Sequence, residues 1–410
     1  MNNKINEFRA GIKPLIGAMI GAGCGLSSIS FYTHSVFVSS ISSDTGWSRG
    51  DVQLGVSIMI LLAIITAPLI GTMVDRYGAR VIGLISIPLY GFAMVCFFFV
   101  EDQLWSYYLI WVLMSIIAAG TLPVTWTRVV NGWFDRYRGI ALGITLAGTG
   151  IAATLGPMYV TWLIDVYGWR LAYVLLAGTI TIISFPSVYF LFKERTKKEV
   201  NQNSNREIFS SNEVGLAFSE AIKSYRFWAI GFALILAAAG ISGLITNSVP
   251  MLIDRGITRT DAAEYAGLIG LSVIIGRLVV GFLLDYFWAP LIAAIFLAAP
   301  LFSAYILGSP IESSFYISLS MIIIGLAAGA ELDLLAFLVS RYFGLLDYGK
   351  LYGALYIFFS LGAGFAPVTF GKTFDAFGNY SLVLNIVAVM SVCSGMLMLT
   401  LGSYPKLESE

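Results

Sequence analysis

Long apolar stretches, each about as long as a bilayer-spanning helix, follow one another along almost the whole chain. A spanning helix needs about 20 mostly apolar residues, and we count twelve candidate stretches. They lie near residues 14–42, 52–74, 80–100, 104–130, 138–163, 169–192, 226–252, 262–286, 289–308, 314–340, 349–371 and 381–403. Strand-like alternation of polar and apolar residues is absent from the sequence. The predicted fold class is therefore an all-α integral membrane protein with twelve transmembrane helices.

Composition narrows the function classes further. The 410 residues are 58% apolar and 12% charged, whereas soluble domains carry about 25% charged residues. Basic and acidic residues are equal in number, 24 each, so no nucleic-acid partner is predicted. The sequence has one His and three Cys, and neither a nucleophile–base triad nor a phosphate-binding loop. We predict no enzymatic activity, no metal site and no cofactor.

The positions of Lys and Arg predict the orientation in the membrane. With the N-terminus inside, 18 basic residues fall on the cytoplasmic side and five on the opposite side, while Arg277 lies within a span. This bias follows the positive-inside rule. The first apolar run is too long for a signal-peptide core, so we expect it to be retained. The sequence predicts a multi-pass protein of the cell inner (plasma) membrane with both termini in the cytoplasm.

A polar segment, residues 193–225, is the one long break between spans. Its charged, Asn- and Ser-rich composition suits a solvated linker, with a short amphipathic helix expected before Tyr225. We therefore predict an N-terminal six-helix bundle at 1–192, a cytoplasmic linker at 193–225 and a C-terminal six-helix bundle at 226–410.

The two halves share Gly, Pro and Asp positions at a single offset of 210 residues. The pairs are Gly71 and Gly281, Asp75 and Asp285, Gly139 and Gly349, Gly143 and Gly353, Pro157 and Pro367, Asp165 and Asp375, and Gly168 and Gly378. Because Gly and Pro fix close helix contacts and kinks, this register predicts two bundles with pseudo-symmetric backbones. Two such bundles form a cleft that opens to either side by rocking, which favours transport.

Three sequence motifs carry a resemblance to a known family. The loop from Gly71 to Arg80, GTMVDRYGAR, resembles the signature loop of the major facilitator superfamily. The run from Trp133 to Gly150, at the start of the fifth span, is similar to the monocarboxylate-transporter and oxalate/formate-antiporter branch. The run from Gly276 to Asp285, GRLVVGFLLD, is similar to the same branch. The resemblance covers essentially all 410 residues and is of the bacterial type.

The resemblance implies secondary active transport by alternating access. In that branch an arginine at the place of Arg277 anchors the anion. The chain also departs from the branch: the acid one turn before this arginine is replaced by Val273, and Lys350 and Lys372 lie only at the ends of the eleventh span. The identity of the substrate therefore does not carry over.

Arg277 lies somewhat past the middle of the eighth span. A charge at the bilayer centre costs about 2.5–3.5 kcal/mol on insertion scales, so this side chain should face a cavity or a partner. Its planar guanidinium matches a carboxylate through two hydrogen bonds. We predict a substrate anchor; the alternative is a structural ion pair that only joins spans.

Two acids, Glu331 and Asp333, lie in the tenth span at a depth similar to that of Arg277. Residues two apart on a helix point roughly 200° away from each other, so both cannot face one partner. Desolvation would favour proton uptake by such a carboxyl group, which predicts a role in proton coupling. A permanent salt bridge to Arg277 is the alternative.

Several polar residues on other spans are further candidates. His34 is the single histidine, and imidazole titrates near physiological pH, which suits proton coupling. A hydrogen bond from His34 to a nearby Ser or Tyr is the alternative. Asn247, Tyr32 and Tyr356 lie on spans that line the cleft in this superfamily, and we predict that they contribute to substrate binding.

The charged loop after the second span is better interpreted as a gate than as a binding site. Asp75, Arg76 and Arg80 can bridge helix ends that separate when the inner side opens. Arg128, near the inner end of the fourth span, either joins this gate or extends to the interface. A surface cluster with no conformational role is the alternative for the loop.

These observations predict a secondary active transporter of a small, monocarboxylate-like organic acid anion, coupled to protons as a symporter. An organic-anion exchanger, or a proton-driven exporter of a cationic or zwitterionic molecule, is the alternative. A membrane sensor that kept the fold ranks last. The expected partners are the organic acid, protons and the lipid bilayer, and the expected functional unit is a monomer.

Overall fold

The computed structural model describes residues 2–101, 103–134, 138–194, 215–310, 313–344 and 346–405, and side chains within them except at 2–7, 75, 138, 139, 285, 348 and 349. The described backbone is helical, apart from turns and an isolated bridge between Gly215 and Gly344. The helices of the first half are α1 (Asn2–Gly23), α2 (Leu26–Thr45), α3 (Arg49–Tyr77), α4 (Ala79–Cys96), α5 (Leu104–Ile117), α6 (Pro123–Trp133) and α7 (Arg138–Leu191). Those of the second half are α8 (Phe218–Ala221), α9 (Tyr225–Ile253), α10 (Arg259–Tyr286), α11 (Ala289–Ala298), α12 (Pro300–Gly308), α13 (Ser314–Phe343), α14 (Tyr348–Phe377) and α15 (Ser381–Leu399).

Apart from the fourth, the predicted spans lie within apolar helical stretches of sufficient length. Among the described residues, ten stretches are long and apolar enough to cross a membrane. One of them, Ile140–Leu191, contains two predicted spans, which divide at Gly168, where φ is +77°. The predicted fourth span, 104–130, is broken into α5 and α6 because the chain turns at Ala119–Thr121 before Pro123. These two features account for the difference between ten stretches and twelve predicted spans.

The 210-residue repeat extends to the turns between helices. Gly46 ends α2 with φ +73°, and Gly256, 210 residues later, follows α9 with φ +83°. The hydroxyl of Ser48 then accepts a hydrogen bond from the amide of Asp51, at 3.2 Å. The hydroxyl of Thr258 accepts the matching bond from Asp261, also at 3.2 Å. Left-handed glycine followed by a hydroxyl N-cap therefore ends one helix and starts the next in both halves.

The chain forms two compact units, which differ from its sequence halves. The first unit comprises Met1–Asn205 together with Ser248–Gly270, and the second comprises Arg206–Asn247 with Leu271–Glu410. The first has a core around Trp126, Phe134 and Phe192, all buried. The predicted bundle boundaries at 192 and 226 stay a prediction.

Two close helix crossings depend on glycine. In the first unit, a β-carbon on Gly267 would lie 2.8 Å from the carbonyl oxygen of Thr154. A β-carbon on Gly270 would lie 2.5 Å from the carbonyl carbon of Ala153. In the second unit, one on Gly276 would lie 2.6 Å from the Leu326 carbonyl oxygen. Only glycine permits this approach of backbone to backbone, so α10 packs directly on α7 and α13.

The described ends of the predicted linker are fixed to the units. At its C-terminal end, Leu216 N donates to Phe343 O at 2.7 Å, and Phe218 N donates to the Asp347 carboxylate at 2.8 Å. The helix expected before Tyr225 is α8. The three cysteines, Cys24, Cys96 and Cys393, are free thiols.

Candidate functional site

The crossing of α10 and α13 sets the position of the candidate anion site. A β-carbon on Gly329 would clash with the carbonyl oxygen of Val273 and lie 3.1 Å from the amide nitrogen of Arg277. The helices therefore touch through their backbones one turn before Asp333. Arg277 lies nine residues from the end of α10 and Asp333 ten residues from the end of α13, which places them about 14 and 15 Å from those ends.

The structure brings Arg277 and Asp333 together as an ion pair. Arg277 Nη1 lies 3.5 Å from Asp333 Oδ1, and the two side chains are 16% and 34% exposed. This distance exceeds the roughly 2.7–2.9 Å of a charge-assisted hydrogen bond. Arg277 Nε is buried and has no hydrogen-bond partner in the described part of the chain. The guanidinium thus keeps unused donor capacity beside a loosely held carboxylate.

Glu331 lies apart from this pair. It is 5% exposed, and its Oε1 is buried with no hydrogen-bond partner among the described residues. The described residues contain no ion pair within 4.0 Å that includes Glu331. As the helix geometry requires, the two acids of α13 have different environments. A buried carboxyl group without a counter-charge is far less costly in its protonated form.

His34 is enclosed in the first unit. The ring is 1% exposed and packs edge-on against Trp111, with 5.4 Å between ring centroids. The side chain of Gln53 interacts with the ring. Neither ring nitrogen forms a hydrogen bond with a Ser or Tyr within the described residues, so that expected alternative is not observed there.

The three other predicted binding residues lie on α2, α9 and α14. Asn247 is fully buried on α9, where its Nδ2 donates to Gly243 O at 3.0 Å. Tyr32 packs edge-on against Phe31 on α2, at 5.1 Å between centroids. Tyr356 stacks on Phe359 of α14, at 5.4 Å. Tyr32 and Tyr356 are half-buried, and their roles in binding remain predictions.

Two of the predicted gate residues, Arg76 and Arg80, contact residues of their own unit. Arg80 N donates to Glu194 Oε1 at 2.9 Å, and Arg80 Nη2 donates to Tyr189 O at 2.7 Å. The exposed Arg76 lies over the ring of Tyr77, 5.2 Å from its centroid. Arg128 is exposed on α6. The side chain of Asp75 lies outside the described residues, and a gating role for this set remains a prediction.

Besides Arg170 and Asp44, which also form an ion pair, two arginine–carboxylate pairs lie in the first unit, at the helix ends that the basic-residue distribution predicts to be outside. We call them the outer pairs. Arg49 binds Asp254 through both ends of its guanidinium, with Nη1–Oδ2 at 2.5 Å and Nη2–Oδ1 at 2.7 Å. Arg259 lies 3.3 Å from Asp165. These pairs join the segment 248–270 to helices of the first half of the chain.

Sequence reasoning did not single out the outer pairs. A signal was nevertheless present, because Gly46, Ser48, Arg49 and Asp51 recur as Gly256, Thr258, Arg259 and Asp261 at the same offset of 210. Asp44 and Asp254 show the same spacing. Because Arg49 and Arg259 recur at this offset beside a helix start, the repeat would have identified both arginines.

With the fold and site established, the family can be stated. A profile described as Major Facilitator Superfamily matches residues 20–367. The chain therefore belongs to the major facilitator superfamily, and it is a membrane transporter of that fold. Both the predicted fold class and the recognised superfamily are confirmed.

Individual relatives refine this result. The chain is 23% identical over 342 residues to the uncharacterized MFS-type transporter YhjX of Escherichia coli, covering 82% of each chain. It is 26% identical to human monocarboxylate transporter 11 over 55% of this chain and 46% of that one. It is 24% identical to the oxalate:formate antiporter of Oxalobacter formigenes over 55% of this chain and 52% of that one. These relatives confirm the predicted resemblance to the monocarboxylate and oxalate/formate branch.

A solved structure with the same fold is a bacterial homolog of the human lysosomal transporter Spinster, in an inward-facing and unoccupied conformation. The TM-score is 0.66, the identity 16%, and 95% of each chain is covered. At this identity the likeness shows the fold alone.

Proposed function

We propose that this transporter carries a small organic acid anion, of the monocarboxylate type, together with a proton by alternating access. The observation that carries the proposal is the Arg277–Asp333 pair, which lies inside apolar helices at 3.5 Å with the guanidinium Nε unpartnered in the described residues. Names of relatives that include monocarboxylate and oxalate:formate transporters support the same substrate class.

The pair suits exchange of one carboxylate for another. Asp333 is 34% exposed, and because ionised groups are not tolerated against lipid, we infer that its exposed part faces an aqueous space. A substrate carboxylate entering that space would compete with Asp333 for Arg277 and could also engage Nε. Bidentate binding would then replace a long single contact, which favours the loaded form.

Proton coupling falls to the acids and to His34. The displaced Asp333 would carry an uncompensated charge and would take up a proton more readily. Glu331, which is buried and in no ion pair within 4.0 Å among the described residues, is proposed to hold the transported proton, and Asp333 and His34 are the alternatives. Loaded with both substrate and proton, the site has the same net charge as the empty Arg277–Asp333 pair, whereas the anion alone would add one negative charge. Movement across the bilayer therefore meets a smaller electrostatic barrier when the proton accompanies the anion.

The outer pairs suit a gate. An ion pair between an arginine and both oxygens of a carboxylate, placed at the helix ends, can close one side of the transport path. This ion pair must separate before that side opens. Arg76, Arg80, Arg128 and Asp75 are proposed to act at the opposite end. Asn247, Tyr32 and Tyr356 are proposed to contact the substrate. We place both termini in the cytoplasm, the protein in the plasma membrane and the functional unit as a monomer.

Transport in proteoliposomes tests the proposal. Radiolabelled lactate, formate and oxalate are offered with and without an inward proton gradient, and pH inside the vesicles is followed with a trapped dye. We expect a monocarboxylate to enter faster with the gradient and to carry protons inward. Uptake that requires a counter-anion inside, without pH change, would indicate an exchanger instead.

The second candidate function is proton-driven export of a cationic or zwitterionic compound. The Oε1 atom of Glu331, buried with no hydrogen-bond partner in the described ranges, favours it, since a buried acid is a natural site for a cation. Counterflow of a labelled organic cation, unaffected by loss of Arg277 and abolished in Glu331→Gln, would support export over anion symport.

A further inference from the structure

A cavity of about 390 Å³ lies in the first unit where α3 ends, α4 begins and α7 ends. It is distant in sequence from the anion site, and of its lining only Arg80 belongs to the proposed gate. Its lining combines aromatic, aliphatic and charged side chains: Tyr77, Gly78, Arg80, Val81, Lys193 and Glu194.

The polar side of the cavity is cationic. Arg80 donates through Nη2 to Tyr189 O, while its Nε is buried with no hydrogen-bond partner in the described part of the chain. Lys193 is exposed, and its main chain is fixed because Trp133 Nε1 donates to Lys193 O at 2.7 Å. The one acidic group of the lining, Glu194, is held by the amide of Arg80. Two cations and one engaged carboxylate favour an anionic ligand.

An apolar path leads away from the cavity along α4. Val81, in the lining, begins a row of exposed side chains at helical spacing, Val81, Ile85, Leu89 and Phe92, of which Val81 is 49% and Phe92 60% exposed. α7 presents a parallel row, Tyr189, Phe185 and Ile182, in which Phe185 stacks on Tyr189. The helices approach closely here, since a β-carbon on Gly91 would lie 2.5 Å from Thr181 Oγ1.

We propose that this cavity binds the headgroup of an anionic phospholipid. The phosphate lies between Arg80 and Lys193, and the acyl chains follow the exposed rows of α4 and α7. Arginine and lysine are the side chains that recognise phosphate oxygens, and tyrosine is typical of the headgroup region. A free phosphate ion would use the cations alone, whereas a phospholipid uses the cations and the apolar rows together. This inference is independent of what the protein transports.

The test uses the purified full chain in detergent. Dioleoyl phosphatidylglycerol, dioleoyl phosphatidylcholine and inorganic phosphate are titrated separately, and bound lipid is counted by native mass spectrometry beside the thermal melting curve. We expect phosphatidylglycerol to be retained and to raise the melting temperature more than phosphatidylcholine does, because a ligand that binds the folded form stabilises it.

Matched variants locate the site. Lys193→Gln removes one cation and should weaken phosphatidylglycerol binding about fivefold. Lys223→Gln, an exposed lysine of the second unit, should leave binding unchanged. Arg80→Gln should weaken phosphatidylglycerol binding more. If that variant does not fold, the comparison of Lys193→Gln with Lys223→Gln still tests the proposal.

Three results would overturn the proposal. The first is equal retention of the two lipids by the wild type. The second is unchanged phosphatidylglycerol binding in Lys193→Gln. The third is equal stabilisation by inorganic phosphate, which would reveal a free-anion site in place of a lipid site.

Discussion

Two arginine–carboxylate pairs of this protein differ in how firmly they are held. Arg277 approaches Asp333 through one atom at 3.5 Å, inside apolar helices. Arg49 binds both oxygens of Asp254 at 2.5 and 2.7 Å, at the ends of helices. The pair in the costlier environment is therefore the looser one.

This difference indicates that the Arg277–Asp333 pair suits exchange of one carboxylate for another, whereas the Arg49–Asp254 pair suits holding two helix ends together. A bidentate pair satisfies both partners and leaves little for a third group to gain. A single long contact, with no partner for Nε among the residues that the structure describes, leaves the guanidinium open to a better acceptor. The looser pair thus supports the anion-anchor proposal, and the tighter pair supports the gate.

The largest effect is expected from loss of the anchor. Arg277→Ala leaves Asp333 without its counter-charge and removes the substrate contact, and uptake of the labelled acid should fall at least about 30-fold, corresponding to about 2 kcal/mol. Arg277→Lys keeps the charge but loses the planar fork, and the loss should be smaller. Initial uptake rates in proteoliposomes with equal protein content measure both. Full uptake by the alanine variant would remove Arg277 as the anchor.

Loss of proton coupling is expected next. Glu331→Gln replaces a buried carboxyl group by a neutral group of similar size, so accumulation driven by a pH gradient should be lost while exchange of internal for external substrate continues. Glu264→Gln, an exposed acid of α10, is the control. Equal gradient-driven accumulation in both variants would move the coupling role to Asp333 or His34.

A change at the helix crossing tests how the looser pair is positioned. Gly329→Ala places a methyl group against Val273 O and should destabilise the protein by about 1–3 kcal/mol, because the helices must separate. Uptake should fall with it. Gly281→Ala, on the same helix as Arg277, meets nothing within 4 Å and should be neutral or slightly stabilising. Melting temperature and uptake are measured for both variants.

The tighter pair is tested by a double-mutant cycle. Arg49→Ala, Asp254→Ala and the double variant should give a coupling energy of about 1 kcal/mol in thermal unfolding, since the pair is partly exposed. Each single variant should also increase labelling of cysteines introduced on the predicted outer side. A coupling energy of zero together with unchanged labelling would argue against a gate.

The smallest effect is expected at the exposed pair of Lys350 and Asp347, 2.7 Å apart. The hydrogen bond from Lys350 and that from Phe218 N hold the pKa of Asp347 below its usual 3.8. A lowered folded-state pKa contributes stability above pH 3.8, which is lost as the pH falls through the lowered value. Asp347→Asn should therefore lower the melting temperature slightly at pH 7. At a pH below the lowered pKa of Asp347 it should leave the melting temperature unchanged. Melting curves across pH give the result.

Parts of this arrangement were accessible from sequence. The apolar stretches and the 210-residue repeat predicted the fold, because membrane spans and shared glycines leave a direct signal. The position of Arg277 within a span was equally visible. The choice of Asp333 over Glu331 was not, because spacing fixes the angle between two side chains but not the rotation of the helix about its axis.

Other parts depend on contacts that spacing does not encode. Arg49 and Asp254 are 205 residues apart, and only the folded chain brings them together. The break in the fourth predicted span comes from a turn at Ala119–Thr121 before Pro123, within a run whose hydropathy alone indicated continuity.

The close crossing of α10 and α7, where Gly267 and Gly270 lie against Thr154, has a consequence for how fast the proposed transport path can open. The atoms nearest to the two glycines are backbone atoms of Gly150, Ala153 and Thr154, with the thioether sulfur of Met158 also close to Gly267. Few side chains would therefore have to repack if the two surfaces separated. We expect the barrier to this motion to reside in the neighbouring charged groups, which would make the turnover rate sensitive to ionic strength.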